Sequence, residues 1–172
     1  MRDMIDSIRG EYERYKALGE GAVAQVSDHE LSAAGPNGSS SLAIICWHIS
    51  GNLRSRFTDF LTSDGEKPWR NREEEFDERA VTRAEFLAKW EQGWTALFSA
   101  LDGLTDANLR DTIAIRGQTL KVVDALHRSL AHTAYHVGQM VYLAKALRGD
   151  AWSSLSIPRG QSASYAPKTP RG

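Results

Sequence analysis

The chain contains a single cysteine, Cys46, among its 172 residues. This excludes an internal disulfide framework and any zinc site made of several cysteines. The sequence also lacks an apolar run near the roughly 18 residues that a membrane span needs, and its first residues lack the apolar block of a secretory signal. We therefore expect a cytoplasmic protein with no membrane partner.

An excess of charge of one sign is also missing, since 21 Lys and Arg residues stand against 22 Asp and Glu residues. Proteins that bind phosphate backbones usually carry a basic excess, so we expect no nucleic-acid partner. The composition is that of a soluble globular protein, with 41% hydrophobic and 25% charged residues. At this length the chain can bury one core without disulfides, and it shows no internal repeat.

Four segments have apolar residues at the spacing of amphipathic helices, and they cover roughly residues 2–26, 39–61, 82–101 and 120–147. Capping-box pairs predict the start of a short turn, with Ser27 and Glu30, and of the third helix, with Thr82 and Glu85. The sequence therefore predicts an all-α fold, a four-helix bundle over residues 1–150.

The connection between the second and third helices, residues 62–81, is long and polar. Loops of this length inside a compact domain tend to be functional or to make a crossover. A crossover would make the second and third helices parallel and the second and fourth antiparallel. The acidic run at residues 73–75 is most simply a solvated face of this loop.

Two smaller segments complete the prediction. Period-two apolar residues with Gly117 at the turn predict a hairpin over residues 112–119. Residues 151–172 hold three of the five prolines and much Ser and Gly, which predicts an irregular C-terminal tail. Because this tail has no core of its own, we expect it to pack on the bundle or on a partner subunit.

Two histidines of the fourth helix, His132 and His136, are four residues apart and therefore lie on one helix face. Their side chains can converge on one metal ion, although two ordinary, partly buried histidines remain the alternative. A metal site needs a third ligand, and His48 in the second helix is the candidate. In the antiparallel arrangement its depth along the bundle agrees with that of His136 to within about one turn.

The remaining histidines and the cysteine suit the site less well. His127 points to another side of the fourth helix, so we expect it to serve packing. His29 lies in a turn and is expected to be solvated. Cys46 lies on the far side of its helix from His48 and is expected to be a small buried hydrophobic residue.

The pattern resembles the DinB/YfiT-like metalloprotein superfamily. The resemblance rests on Trp47-His48, the small hairpin and His132-x-x-x-His136-x-x-Gln139, and one bacterial branch of unknown function also has stretches similar to residues 64–70 and 155–160. It implies a bundle in up-down-down-up order, often dimeric, with zinc or nickel held by His48, His132 and His136. Characterised relatives are thiol-dependent transferases and an isomerase, so a low-molecular-weight thiol is an implied second cofactor.

Three neutral imidazoles leave a coordination position open, which is typical of catalytic metal sites. An ion there would activate water for hydrolysis or a thiol for transfer to a small molecule. Asn52 and Gln139 are candidates for hydrogen bonds to the ligands or to substrate. Arginines near the second helix are candidates for binding an anionic substrate or the carboxylates of a thiol cofactor, and they are Arg54, Arg56, Arg70 and Arg72.

The sequence leaves two functional hypotheses open. The first is a metal-dependent transferase or hydrolase of a small molecule, favoured by the absence of an evident fourth ligand. The second is a non-catalytic, dimeric binding or stress-response module. No carboxylate has a compelling spacing for a general base, because Asp59 and Asp124 both lie turns away from the histidines. The catalytic residues therefore stay unassigned.

Overall fold

The structure is a computed structural model that describes residues 1–165, and this part of the chain is mostly helical. Its regular elements are five α-helices and one antiparallel hairpin: α1 Asp3–Val23, α2 Asp28–Ser32, α3 Leu42–Phe57, α4 Arg83–Asp102, β1 Thr112–Ile115, β2 Gln118–Lys121 and α5 Val122–Arg148. This confirms the predicted all-α class. None of the helices in the described part combines the length and the apolar character needed to cross a bilayer.

The starts of the helices follow the predicted capping chemistry. Thr82 accepts a hydrogen bond from the Glu85 backbone N–H, and the Glu85 carboxylate accepts from the Thr82 backbone N–H. The same reciprocal pair joins Ser27 and Glu30 at the start of α2. Both capping boxes are therefore confirmed. They satisfy backbone donors that the first turn of a helix leaves without partners.

The second long helix is shorter than predicted. It ends at Phe57 rather than near residue 61, because Thr58 is extended and Asp59 has a φ of 49°. The left-handed conformation of Asp59 is compatible with a turn and incompatible with a continuing α-helix. The apolar residues after Phe57 kept the helical spacing, so periodicity alone did not reveal the end.

The apolar core lies where α3 and α1 each contact both α4 and α5. Trp90 and Trp94 of α4 are fully buried, with ring centroids 5.2 Å apart. A Cβ atom added at Gly93 would lie 2.7 Å from the Cα atom of Ser50, so the backbones of α4 and α3 approach closely there. Truncating one such tryptophan to alanine typically costs about 3–5 kcal/mol.

Side chains of the connection fasten it to the hairpin. The Asp64 carboxylate accepts hydrogen bonds from the backbone N–H groups of Arg116 and Gly117, at 2.8 and 2.7 Å. These two residues form the hairpin turn and have φ values of 54° and 71°, as a tight two-residue turn requires. Gly65 adds a backbone hydrogen bond to the carbonyl of Ala114. The connection and the hairpin therefore form one joined wall beside α3 and α5.

The chain after α5 returns to α1. Ser153 exchanges two hydrogen bonds with the side chain of Gln25, and Leu155 packs beside Gly21. Trp152 packs against the same core. The rest of the predicted tail, residues 166–172, lies outside the described residues. The division of the chain into a bundle over 1–150 and a tail over 151–172 stays a prediction.

Candidate metal centre and the adjoining cavity

Three histidines from two helices meet at one point. The Nε2 atom of His132 lies 3.2 Å from the Nε2 atom of His48 and 3.2 Å from that of His136. His48 comes from the middle of α3 and is buried, whereas the other two lie one turn apart on α5 and are partly buried. These three residues form the histidine cluster.

The cluster fits a metal ion by distance and by donor type. Metal–nitrogen bonds of about 2.0–2.1 Å at tetrahedral angles place neighbouring ligand nitrogens about 3.3–3.4 Å apart. The observed separations of 3.2 Å are close to this value. One ligand atom from each histidine lies within 4.8 Å of the others. The group is therefore close enough to hold a metal ion.

His48 is oriented by a buried ion pair from the connection. Its Nδ1 atom lies 2.9 Å from Oε2 of Glu75, and the Arg70 guanidinium donates to both Glu75 oxygens, at 2.7 and 2.9 Å. An ionised carboxylate only accepts, so the Nδ1–H of His48 donates, and in the neutral ring Nε2 presents a lone pair to the cluster.

The Glu75 carboxylate can reach His48 because the residue facing it has no side chain. A Cβ atom added at Gly51 would lie 2.0 Å from Oε1 of Glu75. Gly51 is one turn along α3 from His48, so the gap in the helix surface lies directly beside the ligand. The side chains of Arg70 and Glu75 retain only 2% and 8% of their exposure.

His136 has an equivalent partner on its own helix. Its Nδ1 atom lies 2.7 Å from Oε1 of Gln139, while the Gln139 amide nitrogen donates to the Tyr135 hydroxyl. The amide oxygen accepts, so Nδ1–H of His136 donates and Nε2 is left unprotonated. Two of the three Nε2 atoms therefore point lone pairs at the third.

The surroundings of His132 and His136 favour their neutral forms. Burial, with contributions from His136, His48 and two arginines, lowers the pKa of His132 to about 4. Burial also lowers the pKa of His136 below its usual value. For Glu75, burial alone would raise the pKa, but hydrogen bonds from Arg70 and His48 outweigh it and lower the pKa. Neutral imidazoles beside an ionised carboxylate are the state that binds a cation.

The prediction of a solvated acidic loop is wrong for Glu75. Glu73 and Glu74 are exposed, but Glu75 is buried against His48. Sequence reasoning missed this contact because the three glutamates are adjacent and alike in the chain. The discriminating signal was the glycine at position 51, whose purpose becomes evident only when α3 and the connection are placed together.

A cavity of about 200 Å³ opens beside the cluster. It is lined by residues of α3, of the connection, of the hairpin and of α5: His48, Asn52, Arg56, Phe57, Phe60, Arg70, Arg72, Ile115, Arg116, Ala125, Arg128, Ser129 and His132. Within the described part of the chain, no Asp or Glu lines it. The cavity is therefore polar and cationic near the arginines and apolar along its aromatic wall.

Of the weaker sequence candidates, Asn52 and Arg56 line the cavity, as do Arg70 and Arg72. Gln139 contacts His136 instead, away from the cavity lining. Arg54 does not line it either, and its guanidinium lies over the Trp69 ring, 5.1 Å from the centroid.

The other sequence expectations can be placed as well. Asp59 and Asp124 are exposed and do not line the cavity. His29 is exposed, as predicted, and Cys46 is fully buried, as predicted. The prediction that His127 serves packing is wrong, because its side chain is exposed on α5.

Comparison with known proteins identifies a family but assigns no activity. The family model described as "Protein of unknown function (DUF1572)" matches residues 1–161. No curated protein and no solved structure matches the chain. The matched range includes the whole histidine cluster and every residue that lines the cavity.

Proposed function

The chain belongs to the DUF1572 family, whose function is unknown, and we propose that it is a divalent-metal-dependent enzyme acting on a small molecule. The proposed ligands are His48, His132 and His136, and the proposed metal is zinc or nickel. The observation that carries the proposal is the convergence of the three Nε2 atoms. In two of these histidines, His48 and His136, the Nδ1 atom is hydrogen-bonded to an acceptor.

Three imidazoles would leave an open position on the ion, which lowers the pKa of a water or a thiol bound there to near neutrality. The chain's own residues orient the site. Glu75 and Gln139 fix the rings of His48 and His136. The cavity gives a small molecule access to the cluster at His48 and His132. The proposed reaction is thiol-dependent S-transfer or hydrolysis.

The finer family assignment is also a proposal. DUF1572 shares a clan with DinB-like families. We propose a DinB-like four-helix bundle made of α1, α3, α4 and α5 in up-down-down-up order. The contacts of α3 and α1 with both other long helices support it. A homodimer, implied by the same resemblance, stays a prediction.

Elemental analysis of protein purified without a histidine tag or added metal tests the ligand set. We expect one zinc or nickel ion per chain in the wild type and none in His132→Ala. The matched control is His127→Ala, which removes an exposed histidine from the same helix and should retain the metal. Equal metal content in the two variants would contradict the proposed ligands.

Activity is tested on the metal-loaded protein with low-molecular-weight thiols and an electrophile, and separately with ester and amide substrates. We expect turnover that His132→Ala loses and His127→Ala keeps. Full metal occupancy without turnover in either assay would favour the second hypothesis, a non-catalytic binding module. The absence of a carboxylate from the described cavity lining is the feature that fits this second hypothesis.

A further inference from the structure

The cavity beside the histidine cluster has an unusual concentration of arginine. Five arginines line it, from four different parts of the chain: Arg56 of α3, Arg70 and Arg72 of the connection, Arg116 of the hairpin turn and Arg128 of α5. Like charges repel, most strongly at the largely buried Arg56 and Arg70, and no carboxylate of the described residues lines the cavity to relieve the repulsion. Carboxylate partners behind the wall, water at the exposed side chains, or an anion in the cavity can offset this charge.

Structural partners account for only some of this charge. Arg70 is paired with Glu75 and belongs to the support of His48, and Arg72 is paired with Glu73. Arg56 and Arg116 share a single carboxylate, that of Glu66. Arg128 forms no ion pair with any residue in the part of the chain that the structure describes. Positive charge is thus left over at the end of the cavity where Arg56, Arg116 and Arg128 lie.

The leftover charge acts on the neighbouring groups. Burial lowers the pKa of Arg56, the Glu66 carboxylate opposes this effect, and the nearby Arg70 and Arg116 add smaller lowering contributions. A site that binds an anion with several guanidinium groups is expected to show this mutual repulsion when the anion is absent. Arginine is also the side chain best suited to hold a carboxylate or phosphate by paired hydrogen bonds.

The cavity-lining residues of α3 and α5 follow a definite order along the two helix axes. Along α3, His48, Asn52 and Arg56 follow one another at intervals of four residues, so Arg56 is about 12 Å along the axis from His48. Along α5, Arg128 lies one turn, about 6 Å, before His132. The histidines and the leftover charge therefore mark opposite ends of one cavity.

Part of the cavity wall is apolar. Phe57, Phe60, Ile115 and Ala125 line it, and all four side chains are buried in the core. A molecule that fills the cavity would lay an apolar body against this wall. Small-molecule sites combine apolar walls with a few polar groups that fix orientation, as this cavity does.

We infer that the substrate or cosubstrate is an anionic small molecule with an apolar body, whose carboxylate or phosphate is bound by Arg128 with Arg56 and Arg116. This places the anionic group one to two helical turns from the group that reacts at the histidine cluster. The inference rests on the proposed function for the reaction, but recognition of the anion by the arginines does not require the metal.

Isothermal titration calorimetry on metal-loaded and chelator-treated protein tests the inference with three probes: 3-phenylpropionate, its neutral amide and phenyl phosphate. We expect at least one acid to bind and the amide to bind at least about tenfold more weakly. The two acids distinguish a carboxylate from a phosphate requirement. Arg128→Gln should weaken binding of the acid by about tenfold or more.

The matched control is Lys145→Gln, which removes one exposed positive charge from the same helix away from the cavity. It should leave binding unchanged. Equal binding of acid and amide, no binding of either acid, or equal effects of the two variants would overturn the inference. Binding that requires the metal and ignores Arg128 would overturn it too, because the acid would then be coordinating the ion directly.

Acid binding that Arg128→Gln weakens in a protein that takes up no metal would uphold the anion site and reject the proposed reaction. A protein that binds the metal but neither acid would reject the anion site and leave the proposed function standing. The two proposals therefore fail independently.

Discussion

The two helices that flank α3 meet it in opposite ways. On one side α4 approaches so closely that Gly93 leaves no room for a Cβ atom against Ser50. On the other side α5 meets α3 across histidines, arginines and a cavity of about 200 Å³. Close apolar packing fixes the position of a helix, and polar groups held on rigid helices keep their geometry. We call the close α3–α4 contact the tight side of α3, and the α3–α5 contact with its cavity the hollow side. The tight side thus holds α3 in place for the hollow side, where the chemistry is proposed.

A larger side chain on the tight side should have the largest effect on the stability of the fold. We expect Gly93→Val to lower the free energy of unfolding by about 3 kcal/mol, because its Cβ would meet backbone atoms of α3 that cannot move aside. Gly138→Ala on α5 is the control, since a Cβ there meets nothing within 4 Å. Helix propensity should make that variant more stable by about 0.5–1 kcal/mol. Urea denaturation measures both, and similar losses would refute the contrast.

Disturbing the hollow side should weaken metal binding. Glu75→Gln removes the charge that holds Nδ1–H of His48, and such changes typically cost about tenfold to 100-fold in metal affinity. Gly51→Ala should act in the same direction because its methyl group would displace the Glu75 carboxylate. Competition with a chromophoric chelator measures the affinity.

The control for that experiment is Glu73→Gln, which removes an exposed charge two residues away from Glu75. Its metal affinity should equal that of the wild type. If Glu75→Gln and Glu73→Gln bind metal equally well, Glu75 has no positioning role for His48.

Acid should also destabilise the folded protein at the hollow side. The pKa of His132 is about 4 in the folded protein against a usual value of 6.5, so below pH 6.5 the unfolded chain takes up a proton that the folded chain refuses. The contribution of neutral His132 to stability is therefore complete above pH 6.5 and lost progressively towards pH 4. His136 shifts in the same direction.

Chelator-treated wild type and His132→Ala, unfolded with urea at several pH values, measure this contribution. Comparison with the variant cancels the carboxylates, whose lowered pKa values cause losses at a lower pH. The difference in stability between the two proteins should move in favour of the variant as the pH falls from 6.5 to 4. A difference that is independent of pH would contradict the lowered pKa of His132.

The sequence was informative where the signal lay within one helix. His132 and His136 share a face because the helix repeat requires it, and the capping boxes lie within four residues of chain. The pairing of His48 with them was predicted by matching depths along two helices. A local repeat determines the geometry in the first two cases, whereas the third also assumes that the two helices are antiparallel.

Most of the missed features depend on contacts between segments far apart in the chain, and one depends on a local backbone conformation. Glu75 is identical in type to its two exposed neighbours, and only the path of the connection turns it towards His48. The end of α3 at Phe57 depends on a left-handed Asp59, which apolar periodicity does not encode. Arg116 and Arg128 were not candidates because no spacing links a hairpin turn to the start of a distant helix.

The missing side chain at position 51 gives a way to sort related chains. A carboxylate at position 75 can reach His48 only across a helix surface without a Cβ, so the two positions form one unit. A relative with alanine or a larger residue at position 51 must orient its histidine by another group. Reading these two positions together would separate chains that share this support from those that keep the three histidines alone.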